Sequence, residues 1–86
     1  MENYLVYIME CEDNSFYVGL TGNWKKRIQE HQSDKVPYTK NKRPLKVVYR
    51  ESLSSRKKAA EREKEIKGWT RKKKKILIKK YKESLR

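Results

Sequence analysis

Cysteine is nearly missing from this chain of 86 residues: Cys11 stands alone, which excludes an internal disulfide and a cysteine-rich zinc site. Cys11 itself reads as a small strand hydrophobe. His31 is the only histidine, so no second imidazole or thiol completes zinc-ligand spacing around it. No apolar run approaches the roughly 20 residues that cross a bilayer, and the opening MENYLVYIMECED lacks the basic start of a secretory signal. The compartment expected from these absences is the cytoplasm, with no membrane association. There is no internal repeat and no linker long enough to separate domains. A chain this short cannot divide its apolar residues between two cores, so residues 1–86 are expected to form one domain.

Positive charge is absent from the first 24 residues, which hold Glu2, Glu10, Glu12 and Asp13 and no Lys or Arg. The remaining 62 carry 24 bases against seven acids, a local net of +17. A polyanion is the matching partner. Nucleic acid fits better than a membrane surface, because the bases are spread over several segments and interleaved with tyrosine and tryptophan instead of decorating one amphipathic helix.

The apolar run YLVYIM, bounded by the turn-forming ECEDNS, and the following FYVGL predict a hairpin with strands near 4–9 and 16–20. Alternation along the second strand sends Phe16, Val18 and Leu20 to one side and Tyr17 and Gly19 to the other. Tyr7 can then share the Tyr17 side. TGN turns the chain into a helix near 24–32 with Asn23 as N-cap, Trp24 and Ile28 inward, and Arg27 and His31 one turn apart at the edge of the packed face. The loop SDKVPYTKNKRP presents Tyr38 and Thr39 as a phosphate-contacting surface and leads to a β-branched third strand near 45–51. Helices near 56–67 and 71–83 follow, the first ended by Gly68 and the second capped by Thr70, with Ile76, Leu77, Tyr81 and Leu85 as its apolar stripe. The fold class is therefore a small α/β domain: a three-stranded, mainly antiparallel sheet flanked by helices.

Chemistry-bearing residues are few. Ala59, Glu63 and Ile66 share one helical face, and a carboxylate there either reaches solvent at the rim, meets a cation such as Lys67, or serves a metal or catalytic role. His31 taken alone is more often a packed or capping histidine than a catalytic one. With one carboxylate in such a position, a hard ion such as Mg²⁺ would complete its shell with water and substrate phosphates. Gly19 leaves room for a substrate backbone to approach the sheet. Lys25, Lys26, Lys42, Arg43, Lys72 and Lys73 are candidate phosphate contacts, through which binding would weaken with salt.

The order LVYIM, then FYVG, then an Arg ten residues after the second tyrosine, a His four further on, and a later AAEREKEIK resembles the GIY-YIG endonuclease superfamily. LVY stands in the first half of its signature, with Tyr7, and YVG in the second, with Tyr17 and Gly19. The closing EREKEIKGWTRKKKKILI looks like the small stand-alone bacterial branch, and the likeness runs from Tyr4 to about Ile78. The chain departs from the family pattern in three places. Leu5 replaces the opening glycine, Leu20 and Thr21 stand where a base often follows the second tripeptide, and KKYKESLR offers no asparagine near the metal.

The resemblance implies a metal-dependent nuclease acting on nucleic acid, DNA before RNA. Tyr7, Tyr17, Arg27, His31 and Glu63 would be its catalytic residues, and Glu63 its ligand for Mg²⁺ or Mn²⁺. In this scheme Tyr17 accepts the proton of the attacking water, and Tyr7 orients it or serves as the alternative base. Arg27 donates to the phosphate and His31 donates to phosphate or shuttles a proton. The missing asparagine keeps an alternative in view: a non-catalytic nucleic-acid-binding module on the same fold.

Overall fold

The computed structural model describes residues 3–85. Three strands, β1 (Tyr4–Glu10), β2 (Phe16–Thr21) and β3 (Lys46–Leu53), form an antiparallel sheet in the order β2-β1-β3. β1 is central because its apolar run has no polar side to give to water. Val6, Tyr7, Ile8 and Met9 are all at most 1% exposed, as a strand covered on both faces requires. Three helices complete the fold: α1 (Trp24–Gln32), α2 (Arg56–Lys67) and α3 (Arg71–Ser84). Each opens on a side-chain cap, with Asn23, Ser55 and Thr70 accepting from the backbone N–H three residues on. Gly68 ends α2 with a right-handed φ of −79°, so no left-handed residue is needed there.

The two faces of the sheet carry different cargo. On one, Val6, Ile8 and Val18 pack with Ala59 and Ile66 of α2 and Ile78 of α3, and this is the apolar core. On the other, Tyr7 and Tyr17 face α1 and the loop before β3. Register explains the pairing. Tyr7 lies opposite Gly19, and two residues back along β2 Tyr17 returns to the same face. A bulge between Ile8 and Met9 shifts the β1–β3 pairing and lets the adjacent Val48 and Tyr49 both be buried.

The stripe of α3 differs from the one predicted. Ile76 and Leu85 are 48% and 68% exposed, whereas Ile78 is buried with Leu77 and Tyr81 partly covered. In the consecutive ILI only one register can meet the sheet. At about 100° per residue, Ile76 points nearly opposite Ile78. α1 is anchored unexpectedly too: its only buried residue is His31, while Trp24 and Ile28 are half-covered. Among the described residues, no helix is long and apolar enough to cross a membrane.

The loop between α1 and β3 is well tied down. Asp34 and Asn41 take left-handed φ values of 58° and 62°, which short amide and carboxylate side chains tolerate. Arg43 joins its Nη2 to Asp34 at 2.7 Å and its Nη1 to the Gln32 carbonyl at 2.8 Å. The Glu12 N–H donates to the Lys42 carbonyl at 3.0 Å, pinning the loop to the hairpin turn.

Candidate active site

Four of the five residues read as catalytic form one hydrogen-bonded cluster. Arg27 on α1 donates from Nε to the Tyr7 hydroxyl at 3.1 Å and from Nη2 to the Tyr17 hydroxyl at 3.0 Å. Its remaining terminal nitrogen meets Glu30 at 3.3 Å. The Tyr7 hydroxyl also lies 2.8 Å from Nε2 of His31, whose Nδ1 lies 2.8 Å from the Thr39 hydroxyl. One guanidinium thus holds two phenol oxygens, which its planar fork allows and a lysine ammonium would not reproduce.

Exposure separates the two tyrosines. Tyr7 is wholly buried, and burial pushes its hydroxyl well above the ordinary tyrosine range against the opposing pull of Arg27. Tyr17 is only partly covered, its ring against Tyr38 on one side and His31 on another. The less buried of the two phenols is Tyr17's. His31 is 0% exposed with both ring nitrogens engaged, so it has no free edge for direct donation to a phosphate.

Burial, reinforced by the Arg27 charge, pulls His31 down to about 4 from 6.5. The unfolded chain therefore binds this proton at a pH where the folded chain does not. Stability is full above pH 6.5 and is lost as pH falls toward 4, by about 3 kcal/mol in all. Urea unfolding followed from pH 7 to pH 4 should show this loss, and His31→Gln should remove its contribution to the slope.

Gly19 serves the cluster differently from the role read in the sequence. It is buried, and a Cβ added there would lie 2.6 Å from the Tyr7 hydroxyl oxygen and 2.8 Å from the Tyr17 ring. The space that glycine leaves is filled by the two tyrosines, not by substrate. Thr39 is likewise no surface contact, being 0% exposed and bonded to His31 and the Val36 carbonyl. A short polar side chain beside a proline-bounded loop looks exposed in sequence. The buried imidazole claims it.

Glu63 approaches from α2, on the opposite face of the sheet from α1. With Arg27, Lys26, Glu30, Arg56 and Tyr4 it lines one groove along the β2 edge. Its carboxylate is 21% exposed and pairs with Lys67 at 3.5 Å. A smaller pocket, lined by Tyr17, Tyr38, Lys67 and Lys74, adjoins through the Glu63–Lys67 and Arg27–Tyr17 contacts. Lys74 and Arg56 therefore belong with the site although neither stood out in sequence. Lys74 is one of four consecutive lysines, and only the docking of α3 distinguishes it.

The other basic candidates are dispersed. Lys25 and Lys72 are exposed, and Lys73 lies over the Trp69 ring at 4.3 Å. Lys42 lies 4.1 Å over the Tyr38 ring and pairs with Asp13, while Arg43 is occupied by the loop. Tyr38 is 45% exposed and stands beside Tyr17.

Among the described residues no group of three His, Cys, Asp or Glu side chains is placed to hold a metal ion. Glu63 fits one protein donor for a hard divalent ion whose other positions are taken by water and phosphate oxygens, the coordination Mg²⁺ favours.

Comparison with known proteins bears on the family and the fold. Residues 3–82 match the family model of the GIY-YIG catalytic domain. The chain is similar to the UPF0213 protein SH2523 of Staphylococcus haemolyticus, 44% identical over 79 residues that cover 91% of this chain and 96% of that protein. It is similar also to a UPF0213 protein of Syntrophus aciditrophicus, 46% identical over 80 residues and 91% of each chain. The solution NMR structure of the UPF0213 protein BH0048 from Bacillus halodurans superposes with a TM-score of 0.61 at 37% identity, covering 90% of this chain and 83% of that one.

Proposed function

The chain belongs to the GIY-YIG family, a nuclease superfamily, and on that premise we propose that it hydrolyses phosphodiester bonds in nucleic acid, DNA in preference to RNA. The observation that carries this reading is Arg27, whose guanidinium joins the hydroxyls of a buried and a partly covered tyrosine and lines a groove with Glu63 of the opposite helix. A phosphate seated there would meet the Arg27 cation and the Glu63 carboxylate, with the candidate base held on another arm of the same guanidinium.

Tyr17 accepts the proton of the attacking water as its oxygen closes on phosphorus. The Arg27 guanidinium, which donates to the Tyr17 oxygen at 3.0 Å, faces the oxygen that takes that proton. Arg27 also stabilises the negative charge that builds on the phosphate oxygens. Tyr7, which burial keeps protonated, is bonded to His31 and holds Arg27 in place by accepting from its Nε. Glu63 would hold Mg²⁺ or Mn²⁺, giving up its contact with Lys67 to do so. Such an ion, when bound, offsets negative charge at the phosphate and the leaving oxygen.

The substrate strand lies along the β2 edge in this reading. Lys26 and Arg56 flank one end of the site, and Lys67 and Lys74 the other. Replacing Lys67 and Lys74 together by glutamine is expected to weaken binding and to reduce the slope of log K against log salt by roughly 0.7–0.9 per lysine. A slope equal to wild type, measured by fluorescence anisotropy from 50 to 200 mM salt, would place the strand elsewhere.

The reading is tested by incubating the protein with supercoiled, branched and single-stranded DNA in Mg²⁺ or Mn²⁺, with binding measured alongside. Divalent-dependent cleavage abolished by chelator, with binding retained, is the expected result. Binding without cleavage under every ion would identify a non-catalytic module.

A further inference from the structure

Thr39 sits in a loop rich in charge, yet its hydroxyl is turned wholly inward onto the one histidine of the protein. We infer that Thr39 is a positioning residue for the reaction proposed above: it holds His31 in the Nδ1–H tautomer, and through that tautomer orients Tyr7 and Arg27 toward Tyr17. The inference rests on that reading of the site.

Each hydrogen of the cluster needs an acceptor. Arg27 has only donors, so its Nε–H occupies a lone pair of the Tyr7 oxygen, 3.1 Å away. The hydrogen of Tyr7 needs an acceptor, and His31 Nε2 stands 2.8 Å off. Nε2 can accept only if the ring proton is on Nδ1. That N–H then needs an acceptor of its own, which the Thr39 oxygen supplies at 2.8 Å while its hydroxyl hydrogen turns to the Val36 carbonyl at 3.4 Å. In this assignment every hydrogen has a partner. The reverse tautomer would set two donors on the Tyr7 oxygen and turn Tyr7's own hydrogen to the Tyr17 oxygen, which already accepts from Arg27 Nη2 at 3.0 Å and would keep no lone pair for the attacking water. The bond made by one imidazole nitrogen decides what the other can do.

The loop is built to keep Thr39 there. Its N–H donates to the Val36 carbonyl at 3.2 Å, and its carbonyl accepts from Lys42 at 3.1 Å. Val36 is itself buried, and Arg43 clamps the loop to Asp34. Burial also keeps the ring neutral at ordinary pH, so a tautomer, and not an imidazolium, is the species that Thr39 selects. Thr39 touches no substrate in this scheme. Its effect passes through His31 to Tyr7, and from Tyr7 to the guanidinium that addresses Tyr17.

A single histidine makes the test direct, because the imidazole ¹⁵N spectrum has one residue in it. Long-range ¹H–¹⁵N spectra at pH 7 of the full chain should show Nδ1–H in wild type and in Thr39→Ser, and Nε2–H or a mixture in Thr39→Val. On DNA cleavage, Thr39→Val should lower kcat at least tenfold with KM within about twofold, and Thr39→Ser should recover most of the loss. A wild-type ring in the Nε2–H form would overturn the proposal. So would a Thr39→Val ring unchanged in tautomer, or one that shifts with kcat intact. If Thr39→Val does not fold, the tautomer of wild type and the activity of Thr39→Ser against Thr39→Ala decide the matter. The spectra need no turnover, so wild type that binds but never cleaves would defeat the nuclease reading separately.

Discussion

Tyr17→Phe is expected to reduce cleavage by about 10²–10⁴-fold, the range that a general base contributes, with nucleic-acid affinity and thermal stability close to wild type. The substitution removes one oxygen from a partly covered side chain. The ring remains packed against Tyr38 and His31. What is lost is the acceptor for the water proton and one of the two tyrosine anchors of Arg27. Tyr7→Phe makes the instructive contrast. Its hydroxyl is buried and bonded to both His31 and Arg27, so its removal strands polar partners and should cost about 1–3 kcal/mol of stability besides activity. Single-turnover cleavage together with chemical denaturation of both variants separates the two roles. A Tyr17→Phe protein that cleaves at the wild-type rate would move the base to another group.

Glu63→Gln is expected to cut divalent-dependent cleavage by orders of magnitude, in keeping with the several kcal/mol that metal stabilisation of a transition state can supply. The change preserves the length and helical fit of the side chain and removes its charge. Stability should move little, because the one ion pair lost, to Lys67 at 3.5 Å, lies at the surface and such pairs are worth about 0–1 kcal/mol. Binding to DNA should hold or tighten slightly, since an anion leaves a basic groove and Lys67 is freed for phosphate. Titrating Mn²⁺ against each protein should show activation in wild type and none in the variant at the same concentrations. Full activity in Glu63→Gln would place the metal ligand at another residue.

How much of this was legible in the sequence differs residue by residue. The strands, the helices and all three side-chain caps follow from local pattern: a continuous apolar run, alternation in FYVGL, and Asn23, Ser55 and Thr70 ahead of helical runs. The pairing of Tyr7 with Tyr17 followed from alternation once a hairpin was assumed, and the family resemblance picked out Arg27, His31 and Glu63 by spacing. Thr39 and Gly19 were misread for one reason. Each is small and adjoins exposed residues in sequence, and what fills the space around it comes from a distant element: the His31 ring for Thr39, the Tyr7 ring for Gly19.

The sequence by itself determined the order of elements, the basic character of everything after Trp24 and membership of the GIY-YIG family. These are properties of short-range periodicity, composition and ordered motifs, which a linear string displays. Tertiary structure alone decided which of four consecutive lysines meets the site, which of the two tyrosines is wholly buried, that His31 is sealed from solvent, and that Glu63 shares a groove with Arg27 across the β2 edge. Those outcomes depend on the register of α3 on the sheet and on α1 and α2 closing over opposite faces of one edge strand. Helix docking of that kind is set by the packing of many side chains at once, and no local pattern encodes it.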